Sequence, residues 1–260
     1  MIDRPGPINW REKFLAFGIH FVVTLLLAAI AASLIFLVWF PDPFQTMVGG
    51  TQLFELVVIC DLVLGPLLSL VIFDTRKARW KIVMDYCIVG TVQIAALVYG
   101  VIIVSGTRPV YVAFNKDRLE VVTARDIKEA ELAAARNPAY ARLSYDGPRF
   151  VSIQIPAADQ QDAMFQAVQG NEEHQRPKFY APYEAELGQI RRRAKPVSEL
   201  TAKFPAEKPR FDQALRKLGT PPDRVRWLPV HHRGGFWTAL IDTQDGKPVG
   251  YVPMDPYGEE

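Results

Sequence analysis

The chain has 260 residues, 49% of them hydrophobic and 22% charged, with a formal net charge of +2, averages that suit an ordinary globular protein of one or two domains. So small a charge, with acids and bases alternating through the second half, gives no polyanion-binding surface and argues against nucleic acid as a partner. Both cysteines, Cys60 and Cys87, fall in apolar runs, so the polar half has no disulfide framework and its fold must rest on a core.

The averages conceal an asymmetry: long apolar runs lie before residue 106, charged residues and prolines mostly after it. The first run, 14–40, is about 27 residues and roughly 40 Å long as a helix, enough to cross a hydrocarbon core of about 30 Å. It ends in Trp39, Phe40 and Pro41 rather than a small-residue cleavage site, which favours a retained span over a signal peptide. Runs 51–73 and 82–104 are each near the length of one crossing. Very short loops join the three, leaving no polar face to meet water. The expected organisation is a three-helix transmembrane domain over 1–105 and a second domain over 106–260.

Lysines and arginines beside a span are retained in the cytoplasm. Arg4, Arg11 and Lys13 precede the first span and Arg76, Lys77, Arg79 and Lys81 fill the second loop, whereas the first loop, PDPFQTMVGG, has no positive charge. The expected path starts inside and ends outside, with Trp10, Trp39 and Trp80 at interfaces.

Asp61 falls near the middle of the second span, where an ionised carboxylate costs about 2.5–3.5 kcal/mol. Counting depth along the helices puts Gln93 of the third span level with it, so the Gln93 amide is expected to donate to Asp61. The same count sets His20 roughly 9 Å nearer the cytoplasm and makes it the weaker candidate. Gly65 permits close helix approach and Pro66 removes a backbone donor, which predicts a kink or local unwinding. Glu55 and Asp85 sit at span ends, where they reach water. These features glue three helices or recognise a partner; a transporter normally uses more helices and repeats.

Beyond Gly106 the pattern alternates. PVYVAF and RLEVVTA around the turn NKDR predict a hairpin. RDIKEAELAAAR predicts a helix, RFVSIQI a strand, and DQQDAMFQAVQG a helix stopped by Gly170. From Asn171 to Pro222, prolines interrupt helix-like pieces such as PYEAELGQIRRRA and FDQALRKLG, and no fold is assigned there; the cluster Arg191, Arg192, Arg193 and Lys195 reads as a solvated helix end. RVRWLPVHH, FWTALIDT and PVGYVP predict a meander. The class is α+β, with helices against one face of a mainly antiparallel sheet. His231, His232 and Asp242 are the residue types of acid/base chemistry, but adjacent strand residues point to opposite faces, and a surface histidine pair is the better expectation. Phosphate-loop, nucleophile-elbow, HExxH and thiol-nucleophile signatures are absent, so no enzyme, metal or cofactor is expected.

CDLVLGPLLSLVIFDTRK, MDYCIVGTVQIAALVYGV and RPVYVAFNKDRLEVVTA, with FGIHF in the first span and WTALIDTQDGKPVGYVPMDPY near the end, resemble the TfpX/TfpZ group of type IV pilin accessory proteins. Residues 140–225 carry little of the likeness, and Ser69 stands where that group's pattern has threonine. The resemblance implies a non-enzymatic inner-membrane protein with a periplasmic domain that binds the pilin subunit and modulates type IV pilus assembly or retraction, beside other assembly proteins. It directs attention to Asp61, Gly65, Pro66 and Gln93, and to Arg108 and Pro109 at the membrane exit. A membrane-anchored periplasmic sensor signalling through a partner is the alternative reading.

Overall fold

The computed structural model describes residues 9–49, 51–74 and 76–258; Arg4 lies outside them. The chain forms two compact units. One joins Met1–Val38 to Gly50–Gly106, the other Trp39–Gly49 to Thr107–Glu260.

Three helices make the first unit: α1 (Trp10–Ser33), continued by the π-helical Leu34–Trp39, then, after a short α2 (Phe44–Val48) that belongs to the other unit, α3 (Thr51–Ile72) and α4 (Arg79–Thr107). All three are long and apolar enough to cross a membrane, and large side chains such as Leu37, Val71 and Val92 face outward along them, as lipid-facing helices require. Of the kink or local unwinding expected at Pro66, the unwinding does not occur: α3 stays helical through it, since neighbouring helices and side chains can satisfy the carbonyl that proline leaves without a donor. Lys13 Nζ donates to the Leu70 carbonyl (2.8 Å), and Lys77 Nζ reaches both the Ile72 carbonyl (3.1 Å) and Asp85 (2.9 Å). Two cations thus meet the carbonyl end of α3, where the helix dipole favours positive charge.

The second unit is built on one mixed sheet. Its strands are β1 (Pro109–Asn115), β2 (Arg118–Thr123), β3 (Arg149–Ile153), β4 (Tyr180–Pro182), β5 (Lys195–Pro196), β6 (Val225–His232), β7 (Gly235–Asp242) and β8 (Pro248–Val252), in the order β4-β3-β1-β2-β6-β7-β8, with β5 pairing β6. Pairings β1–β3 and β2–β6 are parallel and the rest antiparallel. The intervening helices are α5 (Glu129–Ala133), α6 (Gln160–Val168), α7 (Leu187–Arg193), α8 (Val197–Lys203) and α9 (Lys208–Leu218).

Both faces of the sheet are covered, which corrects the expectation of one. Val112, Phe114, Leu228, Val230 and Ile241 bury one face against Ile190 of α7, while Trp227, Leu240 and Val252 bury the other against Leu200 of α8 and Phe211 of α9. On that second side of β1, Tyr111 and Ala113 pack with Val151, Tyr140 and Tyr180. Side chains alternate along a strand, so β1, buried at every position, must be apolar on both sides.

The first loop also departs from expectation. Its α2 sends Phe44 and Met47 into the core beside Val112 and Tyr183, and the Phe44 ring meets Tyr251 edge-on at 5.8 Å. An apolar pair one turn apart needs a cover, and here the sheet supplies it.

Candidate functional site

The polar residues of the helical unit gather around one imidazole. His20 of α1 has its Nε2 2.8 Å from Gln93 Oε1 of α4 and its Nδ1 2.5 Å from Ser69 Oγ of α3. An amide oxygen only accepts, so Nε2 donates to it, while Nδ1 and the Ser69 hydroxyl share a hydrogen bond. The other end of the Gln93 amide donates to the Asp61 backbone carbonyl at 3.4 Å. One side chain from each helix therefore joins a single chain of hydrogen bonds, and such bonds hold helices together where there is no hydrophobic drive between them.

One expectation changes. Gln93 does reach Asp61, but at its backbone and not its carboxylate, because Gly65 leaves the α3 backbone bare one turn further on. A Cβ added at Gly65 would collide with the Gln93 amide. His20 makes no hydrogen bond to Asp61 among the described residues, yet it is the hub that joins Ser69 to Gln93, a role that depth counting misses because it locates Cα atoms and ignores the reach of imidazole and amide side chains. The serine that departs from the threonine pattern keeps the hydroxyl this hub uses. Among the described residues none donates to the Asp61 carboxylate. It lines a cavity of about 70 Å³ between α1, α3 and α4, with His20, Thr24 and Gln93 on the wall.

Arg108 and Pro109 are placed elsewhere, buried in the second unit. The Arg108 guanidinium lies 4.2 Å from the centre of the Tyr145 ring and 5.7 Å from that of Trp39, and it donates to the Ser144 carbonyl at 3.4 Å. This cation–π stack fastens the Trp39 loop to the domain.

His231, His232 and Asp242 are not brought together. His231 Nδ1 pairs with Glu120 Oε2 at 2.7 Å, whereas Asp242 sits at the opposite end of the β6–β7 ladder and pairs with Arg224 at 2.9 Å. His232 is buried, its Nδ1 accepting from the Gly234 amide at 3.0 Å. The histidines are thus no surface pair: alternation puts them on opposite faces, and His232 is buried. No group of metal-binding side chains occurs among the described residues.

Glu120 is almost fully buried and also binds Arg118 at 2.5 Å. Burial alone would raise its carboxyl, but hydrogen bonds from His231 and Arg118 hold it below its ordinary value; the bond to Glu120, against the opposing effect of burial, raises His231. A lowered acid stabilises the fold above its unfolded value, near 4.5, and loses that contribution as pH falls through the folded value. A raised base stabilises below its unfolded value, near 6.5, and loses it as pH rises through the folded value. The pair therefore contributes most between about pH 4.5 and 6.5. Thermal unfolding across that range should show the maximum, and Glu120→Gln should flatten it; an unchanged profile would count against the pairing.

The sequence model described as Fimbrial assembly protein FimB matches residues 8–49, which include His20 and the loop after α1. The fimbrial assembly protein of serogroup I from Dichelobacter nodosus is 31% identical over 229 residues, 86% of this chain and 89% of that protein. The chain belongs to the fimbrial assembly protein family. The serogroup E1 protein of the same organism is 30% identical over the same shares, and a shorter relative, from serogroups C1 and C2, is 36% identical over 118 residues, 45% of this chain and 90% of its own length. No solved structure matches the chain. In this fimbrial assembly protein, the stretch matched by the family model supplies the imidazole of the helical unit and, through Phe44 and Met47, part of the core of the other.

Proposed function

We propose that the chain is a non-enzymatic accessory protein of type IV pilus assembly, of the TfpX/TfpZ kind, that binds the pilin subunit within the inner membrane and modulates its assembly or retraction. Family membership supports the process. The observation that supports the binding mode is the Asp61 carboxylate, set in an apolar helix without a donor from the described residues while His20, Ser69 and Gln93 beside it bond to one another. A carboxylate at that depth is costly alone, and a donor on a pilin transmembrane helix would relieve the cost. Gly65 and Pro66 are buried, with the Gln93 amide seated against Gly65, and His20, Ser69 and Gln93 hold the three helices in register. Arg108, buried beside Trp39 and Tyr145, acts through the Trp39 loop, and Pro109, equally buried, opens β1.

In the proposed orientation Lys13 and Lys77, gathered at one end of α3, lie on the cytoplasmic side and the sheet unit is periplasmic. A photo-crosslinker at Leu64, which faces outward one turn from Asp61, should capture the pilin. Asp61→Ala should lower that capture about five-fold or more at equal abundance, the size of one interhelical hydrogen bond. Unchanged capture per inserted molecule would reduce Asp61 to a structural residue, and no pilin capture at all would end the proposal.

A further inference from the structure

The sheet unit carries an exposed apolar helix face that its own core does not use. On α6, Met164, Phe165 and Val168 are 68%, 62% and 85% exposed; Val168, four residues after Met164 and three after Phe165, meets both, so they form one patch. Contiguous apolar surface of this kind marks an interaction site more often than scattered single residues do. Beside it runs an open groove of about 930 Å³ whose wall includes Met164 and Val168 and whose rim carries Glu172, Glu173 and Glu186.

The rim charges are unevenly met. Glu173 pairs with Lys116 at 3.0 Å. Glu186 accepts from the Gln154 amide at 2.8 Å, and Glu172 lies 3.5 Å from the His174 ring and interacts electrostatically with His231. Neither of the last two has a lysine or arginine partner among the described residues. An apolar floor under a net negative rim selects an occupant with the complementary pattern.

We infer that this groove is the docking surface for an apolar segment bearing lysine or arginine on the soluble part of the pilin. The inference rests on the pilin-binding reading and adds a second contact, outside the bilayer, to the one at Asp61. Other occupants fit the charges less well. An anionic lipid surface attracts basic segments and is repelled by this rim. Two copies of the chain meeting groove to groove would set the three glutamates against themselves. A copy offering its basic Arg191–Arg193 stretch would make a head-to-tail contact that need not close.

The test places a photo-crosslinker at Val168 in the full-length chain in its native membrane, with the Leu64 position as the internal reference. The expected result is a crosslink to the soluble part of the pilin, weakened several-fold by the combined Glu172→Gln, Glu173→Gln and Glu186→Gln substitutions and by raised salt. Because Val168 is almost wholly exposed, Val168→Glu should fold normally and weaken capture from a crosslinker at Met164. A crosslink only to lipid, only to a second copy, or to no partner overturns the inference, as does capture that ignores both the glutamates and Val168→Glu. If Leu64 captures the pilin and Val168 does not, the groove fails and the membrane reading stands. If neither captures it, both fail.

Discussion

Tyr183→Ala is expected to destabilise the sheet unit by about 3–5 kcal/mol, the usual cost of truncating a buried aromatic side chain. Tyr183 is 1% exposed, its ring meets Phe150 edge-on at 5.5 Å, and its hydroxyl donates to the Gly246 carbonyl at 2.9 Å. It opens the helical turn before α7 and reaches 63 residues along the chain to the turn between β7 and β8, so it ties the proline-interrupted stretch to the last hairpin. Burial raises its hydroxyl far above the ordinary value, and the neutral donor persists through the physiological range. Tyr183→Phe removes only the hydrogen bond and should cost about 1 kcal/mol. Urea unfolding of the full chain in detergent, followed by the fluorescence of Trp227 and Trp237 on β6 and β7, separates the two. Equal midpoints for Tyr183→Ala and Tyr183→Phe would mean that the ring is not a packing element.

What was legible in the sequence follows from periodicity and length. Three apolar runs too long for core helices gave the helical unit, and alternation with turn residues gave β1, β2 and the β6–β8 meander. The less legible parts depend on contacts between distant residues. The parallel pairing of β2 with β6 joins Leu119 to Val230, and nothing local to either strand encodes it. The helix read over RDIKEAELAAAR contracts to Glu129–Ala133: alanine favours helix by itself, but Ile127 and Leu132 are drawn to the core around Tyr140, and tertiary packing overrides propensity. Phe44 and Met47 looked like loop residues because their charge-free segment lay between two spans. At the site, the burial cost of a carboxylate marked Asp61 and depth counting brought in Gln93, whereas Ser69 was noticed only as a departure from the family pattern. Which bonded to which was hidden, because a side chain that extends across a helix interface reaches well past its own depth.

The clearest consequence at that interface concerns Gly65. Gly65→Ala is expected to displace the Gln93 amide, the flexible end of a side chain, so the steric cost itself is small. What is lost is the bond from His20 and the contact with the Asp61 carbonyl, each worth about 0.6–2 kcal/mol in a membrane. The effect should therefore match that of Gln93→Ala and should not add to it: once the amide is gone, the added methyl has nothing to displace. Gly65→Leu differs in kind. Its branch cannot be met by moving one amide, and overpacking adds about 1–3 kcal/mol, so the total reaches about 2–7 kcal/mol and Gln93→Ala should rescue it only in part. Unfolding of the full chain in micelles, scored by protease resistance of the helical unit, gives the four values of the cycle. Strict additivity of Gly65→Ala and Gln93→Ala would show that the two residues act independently and that the Gly65 gap does not exist to seat the amide.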